Sequence, residues 1–129
     1  MKILRKILFP ALMIATLFAA CKKDDKNDGP SSTSHKVVFK AIGSSDAVLS
    51  VAVYGYDTQI TTLSNLSGST WTSPEVTVPA GTLTLNAGVT GTSANSSATL
   101  KVQILVDGQV KAEGTSAGTV LSGHASYNF

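Results

Sequence analysis

From His35 to Phe129, apolar and polar side chains alternate with a period of two, and Gly, Asn, Asp and Ser gather at intervals of about ten residues. A strand sends successive side chains to opposite faces, so this pattern suits half-buried strands and leaves no continuous apolar stripe for a helix. The clearest stretch is TLKVQILVDGQVKAEGTS, residues 99–116. Leu100, Val102, Ile104 and Val106 share one face, Lys101 and Gln103 the other, and Asp107-Gly108 supplies two residues that tolerate positive φ, a strong hairpin signal. Upstream, HKVVFKAIG (35–43) and AVLSVAVYGY (47–56) read as strands paired across Ser44-Ser45-Asp46. Residues 58–67 form a weaker third segment, 69–80 an interrupted fourth and 82–90 a fifth. Pro74 and Pro79 cannot donate ladder hydrogen bonds, so the fourth segment belongs at an edge or carries a break. TVLSGHASYNF (119–129) closes the chain as an edge or pairing strand, with Tyr127 and Phe129 on the core-facing parity of Leu121 and Ala125.

Seven or eight short strands in about 95 residues, with no capped stretch of helical period, predict an all-β chain folded as a single immunoglobulin-like antiparallel β-sandwich. The paired Cys…Trp…Cys of true immunoglobulin domains is missing, since Trp71 has no cysteine partners. The terminal aromatic resembles the assembly signal of outer-membrane barrels. Eight membrane-crossing strands of about nine to eleven residues, with their loops, do not fit this length.

Residues 1–20 have the parts of a secretory signal: Lys2, Arg5 and Lys6, then an apolar stretch from Ile7 to Ala20. As a helix that stretch spans about 21 Å, short of a hydrocarbon core of about 30 Å, so a cleaved leader suits it better than a permanent span. Its end, LFAAC (17–21), resembles the lipobox of bacterial lipoproteins, with Phe18 where that family usually has leucine. The resemblance implies that Cys21 is acylated and becomes the mature N-terminus, with two or more chains such as palmitate holding the protein stably to a membrane. Cys21 is the only cysteine, so packing and backbone hydrogen bonds must hold the domain without a disulfide.

Residues 21–34 read as a lipidated cysteine and a disordered tether: 22–34 contain no large apolar side chain, and Gly29-Pro30 is followed by Ser and Thr. The start, CKKDD (21–25), resembles the export signals of Bacteroidetes lipoproteins, which implies that Asp24 and Asp25 direct the protein to the outer face of the outer membrane. The same acids equally suit a solvated cluster that keeps the tether disordered. Loss of residues 1–20 leaves seven basic residues against eight acidic ones, so the formal charge falls from +2 to −1 and nucleic acid is not an expected partner.

Catalytic constellations are hard to assemble from these residues. His35 and His124 read as polar strand residues, no metal-ligand spacing or G-x-S-x-G occurs, and no cofactor is implied. The acids Asp46, Asp57, Glu75, Asp107 and Glu113 lie mostly at turns and loop edges. Tyr54 and Tyr56 have the opposite parity to Val51 and Val53, so if the valines face the core the tyrosines face outward. With Trp71 they are candidates to bind a sugar ring or a protein partner, or else to cover the second sheet.

VVFKAIG (37–43), EVTVPAGTLTLNAG (75–88) and VQILVDGQVKAEGTSAG (102–118) resemble the MmpS family, small membrane-attached β-sandwich proteins that accompany RND-type exporters. This chain has a lipobox and Ala80 where that family usually has a transmembrane helix and a tryptophan, and it lacks the cysteines that the family often has near its last strands. The resemblance implies the fold, an exporter as partner and no catalytic residues. The expectation is therefore a non-enzymatic, lipid-anchored module of the cell envelope that binds an envelope protein or glycan. The alternatives are a periplasmic accessory subunit of an RND exporter, and a small surface hydrolase or glycan-utilisation accessory protein.

Overall fold

The computed structural model describes residues 32–129. The leader (1–20), Cys21, Asp24 and Asp25 lie outside the described residues. Nine strands make up the described part: β1 (His35–Gly43), β2 (Val48–Tyr56), β3 (Gln59–Leu63), β4 (Thr70–Thr72), β5 (Val76–Val78), β6 (Thr84–Thr92), β7 (Thr99–Val106), β8 (Gln109–Ala117) and β9 (Val120–Asn128). They form two antiparallel sheets packed as a β-sandwich. One sheet has the order β4-β1-β7-β8, with β5 also pairing β1, and the other β3-β2-β6-β9.

The hairpin read at Asp107-Gly108 is present, with φ of 51° and 85° linking β7 to β8. Leu100, Val102, Ile104 and Val106 are all buried, as their shared parity requires. The interrupted fourth segment is two strands, which accounts for nine rather than eight. β4 and β5 lie along one edge of β1, with Ala41 opposite Trp71 and Val37 opposite Val76. Pro74 falls between them. Buried Ser73 bridges the gap: its Oγ accepts from Phe39 N–H (3.0 Å) and donates to the Pro74 carbonyl (2.8 Å), while Ser73 N–H donates to the Phe39 carbonyl (2.8 Å). A hydroxyl thus keeps the β1 backbone satisfied where the ladder is interrupted.

One pairing differs from the sequence reading. β1 and β2 do not form a hairpin across Ser44-Ser45-Asp46 but belong to opposite sheets. The short connection folds on itself, with Ala47 N–H donating to the Ser44 carbonyl (2.9 Å), and delivers β2 across the core, where Tyr54 meets Phe39 with ring centroids 5.1 Å apart. β1 pairs instead with β7, and β2 with β6. Two alternating strands joined by a short polar loop suit either arrangement, because each has an apolar face to bury.

The core runs between the sheets and includes Phe39, Leu49, Leu85, Leu100, Ile104 and Leu121. Tyr127 and Phe129 pack against it, as their parity required. On one side the sheets close on each other: Ser122 N–H of β9 donates to Ser116 Oγ of β8 (2.9 Å), and Gly114 leaves room only for the His124 backbone. On the other side β3 and the pair β4 and β5 stand apart.

Candidate functional site

Tyr54, Tyr56 and Trp71 come from that open side. Tyr54 is only 6% exposed and lies between Phe39 and Trp71, 5.1 Å from each in ring centroids. Tyr56 and Trp71 are partly buried against the core. The expected orientation is therefore reversed at β2: Val53, 39% exposed, faces solvent and Tyr54 faces inward. The cause is a bulge. Leu49 pairs with Gly91 and Val51 with Thr90, which leaves Ser50 as an extra residue. One inserted residue shifts the alternation, so the inward set passes from Leu49 to Ala52 and Tyr54 instead of Val51 and Val53.

Between the edges a cleft of about 250 Å³ is lined by Tyr54, Gly55, Tyr56, Gln59, Ile60, Thr61 and Val76. Trp71 packs on Tyr54 with the rings tilted by 51° and does not line the cleft. Tyr54 and Trp71 thus pack together on the open side, Tyr54 and Tyr56 line the cleft, and the three do not form an exposed platform.

The outer faces of the two sheets differ in charge. All four lysines of the described residues, Lys36, Lys40, Lys101 and Lys111, lie on β1, β7 and β8. On the outside of that sheet, hollows of about 430 and 550 Å³ are lined by Lys36, Val38, Lys40 and Leu105 together with Glu75 and Asp107 at one end, and by Ile42, Lys101 and Thr115 at the other. The outer face of the second sheet has no charged side chain. Its rows read Thr62, Val53, Gly88, His124 and then Ile60, Gly55, Asn86, Ser126.

The two ends of the sandwich are also distinct. At the end where β1 begins, Asp107 joins the hairpin turn to β1: its Oδ2 is 2.6 Å from His35 Nδ1, its Oδ1 accepts from Lys36 N–H (3.0 Å), and its own N–H donates to the Lys36 carbonyl (2.8 Å). The His35 ring and the Lys36 N–H hold the Asp107 carboxyl below the ordinary aspartate range. His35 also stacks on Phe129, 5.0 Å between centroids at 17°. At the other end, Asp46 accepts from Ser44 Oγ (2.8 Å) and Asn95 Nδ2 (2.7 Å), which keeps its carboxyl low as well. Loops 44–47, 64–69, 93–98 and the turn at Gly118 meet there through Gly43 N–H to Ser69 O, Ser93 N–H to Thr119 O and Gly118 N–H to Ala98 O.

His35 and His124 do not converge, because the first lies at one end and the second on the uncharged outer face. Among the described residues no group of three or more His, Cys, Asp or Glu side chains is placed to hold a metal ion, and no helix is long and apolar enough to cross a membrane. The sequence reading did not anticipate the Ser50 bulge or the difference in charge between the sheets. The second was available in principle, since Lys36, Lys40 and Lys101 share the polar parity of strands now known to be neighbours. Neither a protein-family model nor a curated protein matches the chain.

Proposed function

We propose that the protein is a non-enzymatic lipoprotein in which acylated Cys21 anchors a β-sandwich binding or adaptor module at the cell envelope, on the outer membrane. The observation that carries this reading is the position of the sole cysteine, where the apolar run LFAA ends and the polar segment KKDDKND begins. Two or more acyl chains suffice for stable attachment, whereas one is marginal. The sandwich fits the role in two respects: its core needs no cysteine, and its first strand begins at His35, fourteen positions after Cys21. A chain entering at the His35 end presents the opposite end, with its Ser-, Asn- and Thr-rich loops around Asp46, to a partner beyond the membrane.

Fractionation of cells expressing the chain and its Cys21→Ser variant tests the anchor. The parent chain is expected in the membrane fraction with incorporated labelled palmitate. The variant is expected to lose the label and leave that fraction. Retention of the variant in the membrane would contradict the reading.

A further inference from the structure

We infer that β3 is an interaction edge, and that its partner is β3 of a second copy of this chain, paired antiparallel so that the two β3-β2-β6-β9 sheets become one. The inference does not depend on the lipid anchor. It starts from the way the other edges are protected. β4 and β5 have three residues each and Pro74 between them. β8 carries Glu113 and, because Ile104 pairs with Ala112 and Leu105 with Val110, a bulge at Lys111. The free side of β9 is covered by β8 through Gly114 and Ser116. Short strands, charges, bulges and covering elements all discourage edge pairing.

β3 has none of these. Gln59-Ile60-Thr61-Thr62-Leu63 holds two β-branched threonines and an isoleucine 48% exposed, and no charged residue occurs from 58 to 74. The preceding Asp57 is directed away, its Oδ1 accepting from Leu83 and Thr84 N–H (3.0 Å each). The direction of the backbone groups follows from the ladder. Asp57 N–H donates to the Thr84 carbonyl of β6 (3.0 Å), so alternate β2 residues Tyr56, Tyr54 and Ala52 turn their groups toward β3 and engage Gln59, Thr61 and Leu63. Ile60 and Thr62 then point N–H and C=O outward, which calls for another strand.

A second copy meets that demand symmetrically. With the two-fold axis at Thr61, Ile60 of each copy lies opposite Thr62 of the other, and both outward pairs are satisfied. The outer face that becomes continuous carries Val53, Ile60, Thr62 and His124 and no charged residue, so two copies meet without like-charge repulsion. A charged partner strand would find no counter-charge there.

The test uses the full chain. The two Thr61 positions form a pair without mutual hydrogen bonds, with Cα atoms about 4.5 Å apart, within disulfide range. Thr61→Cys is expected to yield a disulfide-linked dimer on mild oxidation, in excess of the unsubstituted chain with Cys21 alone. Ser126→Cys, on the outer face of β9 at the far side of the same sheet, is expected to yield none. Adding Thr62→Pro, which deletes one outward N–H, should lower the Thr61→Cys yield at least about tenfold. If that variant loses its thermal transition, Ile60→Lys with Thr62→Lys replaces it, leaving the β2 ladder in place and bringing four lysines together across the two-fold, with the same expected loss. A Thr61→Cys yield no greater than that of Ser126→Cys, or one insensitive to the edge substitutions, would overturn the inference.

Discussion

At Tyr54 a single side chain joins the two sheets, touching Phe39 across the core and Trp71 toward the open side. Truncating a buried aromatic costs about 3–5 kcal/mol. For a domain of this size each kcal/mol moves the midpoint by about 4–8 °C. Tyr54→Ala is therefore expected to lower the thermal midpoint by at least about 12 °C, and Tyr56→Ala by clearly less. A small change for Tyr54→Ala would argue against the inter-sheet role. The inward position of Tyr54 was not legible in the sequence, because a bulge at Ser50 adds no distinctive residue and yet reverses every side chain after it. Asp107 was easier to read, as an aspartate before glycine in a hairpin turn, but its grip on His35 and Lys36 is a tertiary contact without a local signal. A carboxyl held low in the folded state contributes stability above its unfolded value of about 3.9 and loses that contribution as pH falls through its lower folded value. The midpoint should therefore fall as pH drops from 5 to 2, and less steeply in Asp107→Asn, which still tolerates the turn's positive φ. Equal acid sensitivity of both proteins would assign the loss to other carboxyls, Asp46 among them.

At the level of elements, the pairing of strands rests on where the chain crosses between sheets. The β7–β8 hairpin was legible because alternation and turn chemistry agree over eighteen consecutive residues, 99–116. The Pro74 break was legible because proline has no N–H to give. The partner of β1 was not, since β7 lies about sixty residues away and nothing within 35–56 distinguishes a hairpin from a crossing. The closed side of the sandwich depends on backbone proximity at Gly114. A Cβ there would land on the His124 carbonyl oxygen. Gly114→Ala is expected to part β8 from β9 at a cost of about 2–4 kcal/mol, read as a midpoint roughly 10 °C lower or more. Ala112→Gly, one strand period away, should cost far less, and equal losses would remove the close approach as the explanation.

For the molecule as a whole, the sandwich is polarised in two directions: lysines on one outer face against none on the other, and a chain entry marked by His35 and Phe129 against a polar loop cluster around Asp46. The all-β fold class was visible from alternation alone, whereas this polarity required the sheet order. An anchored domain gives both directions a meaning, by setting which end faces the membrane and which faces lie alongside neighbouring molecules. The most direct measurement is the mass of the mature N-terminal peptide from protein isolated from its membrane. The account predicts a peptide beginning at Cys21, with residues 1–20 absent and the added mass of a diacylglyceryl group with or without a further acyl chain. A peptide with a bare Cys21 thiol, or one that still carries the leader, would contradict it.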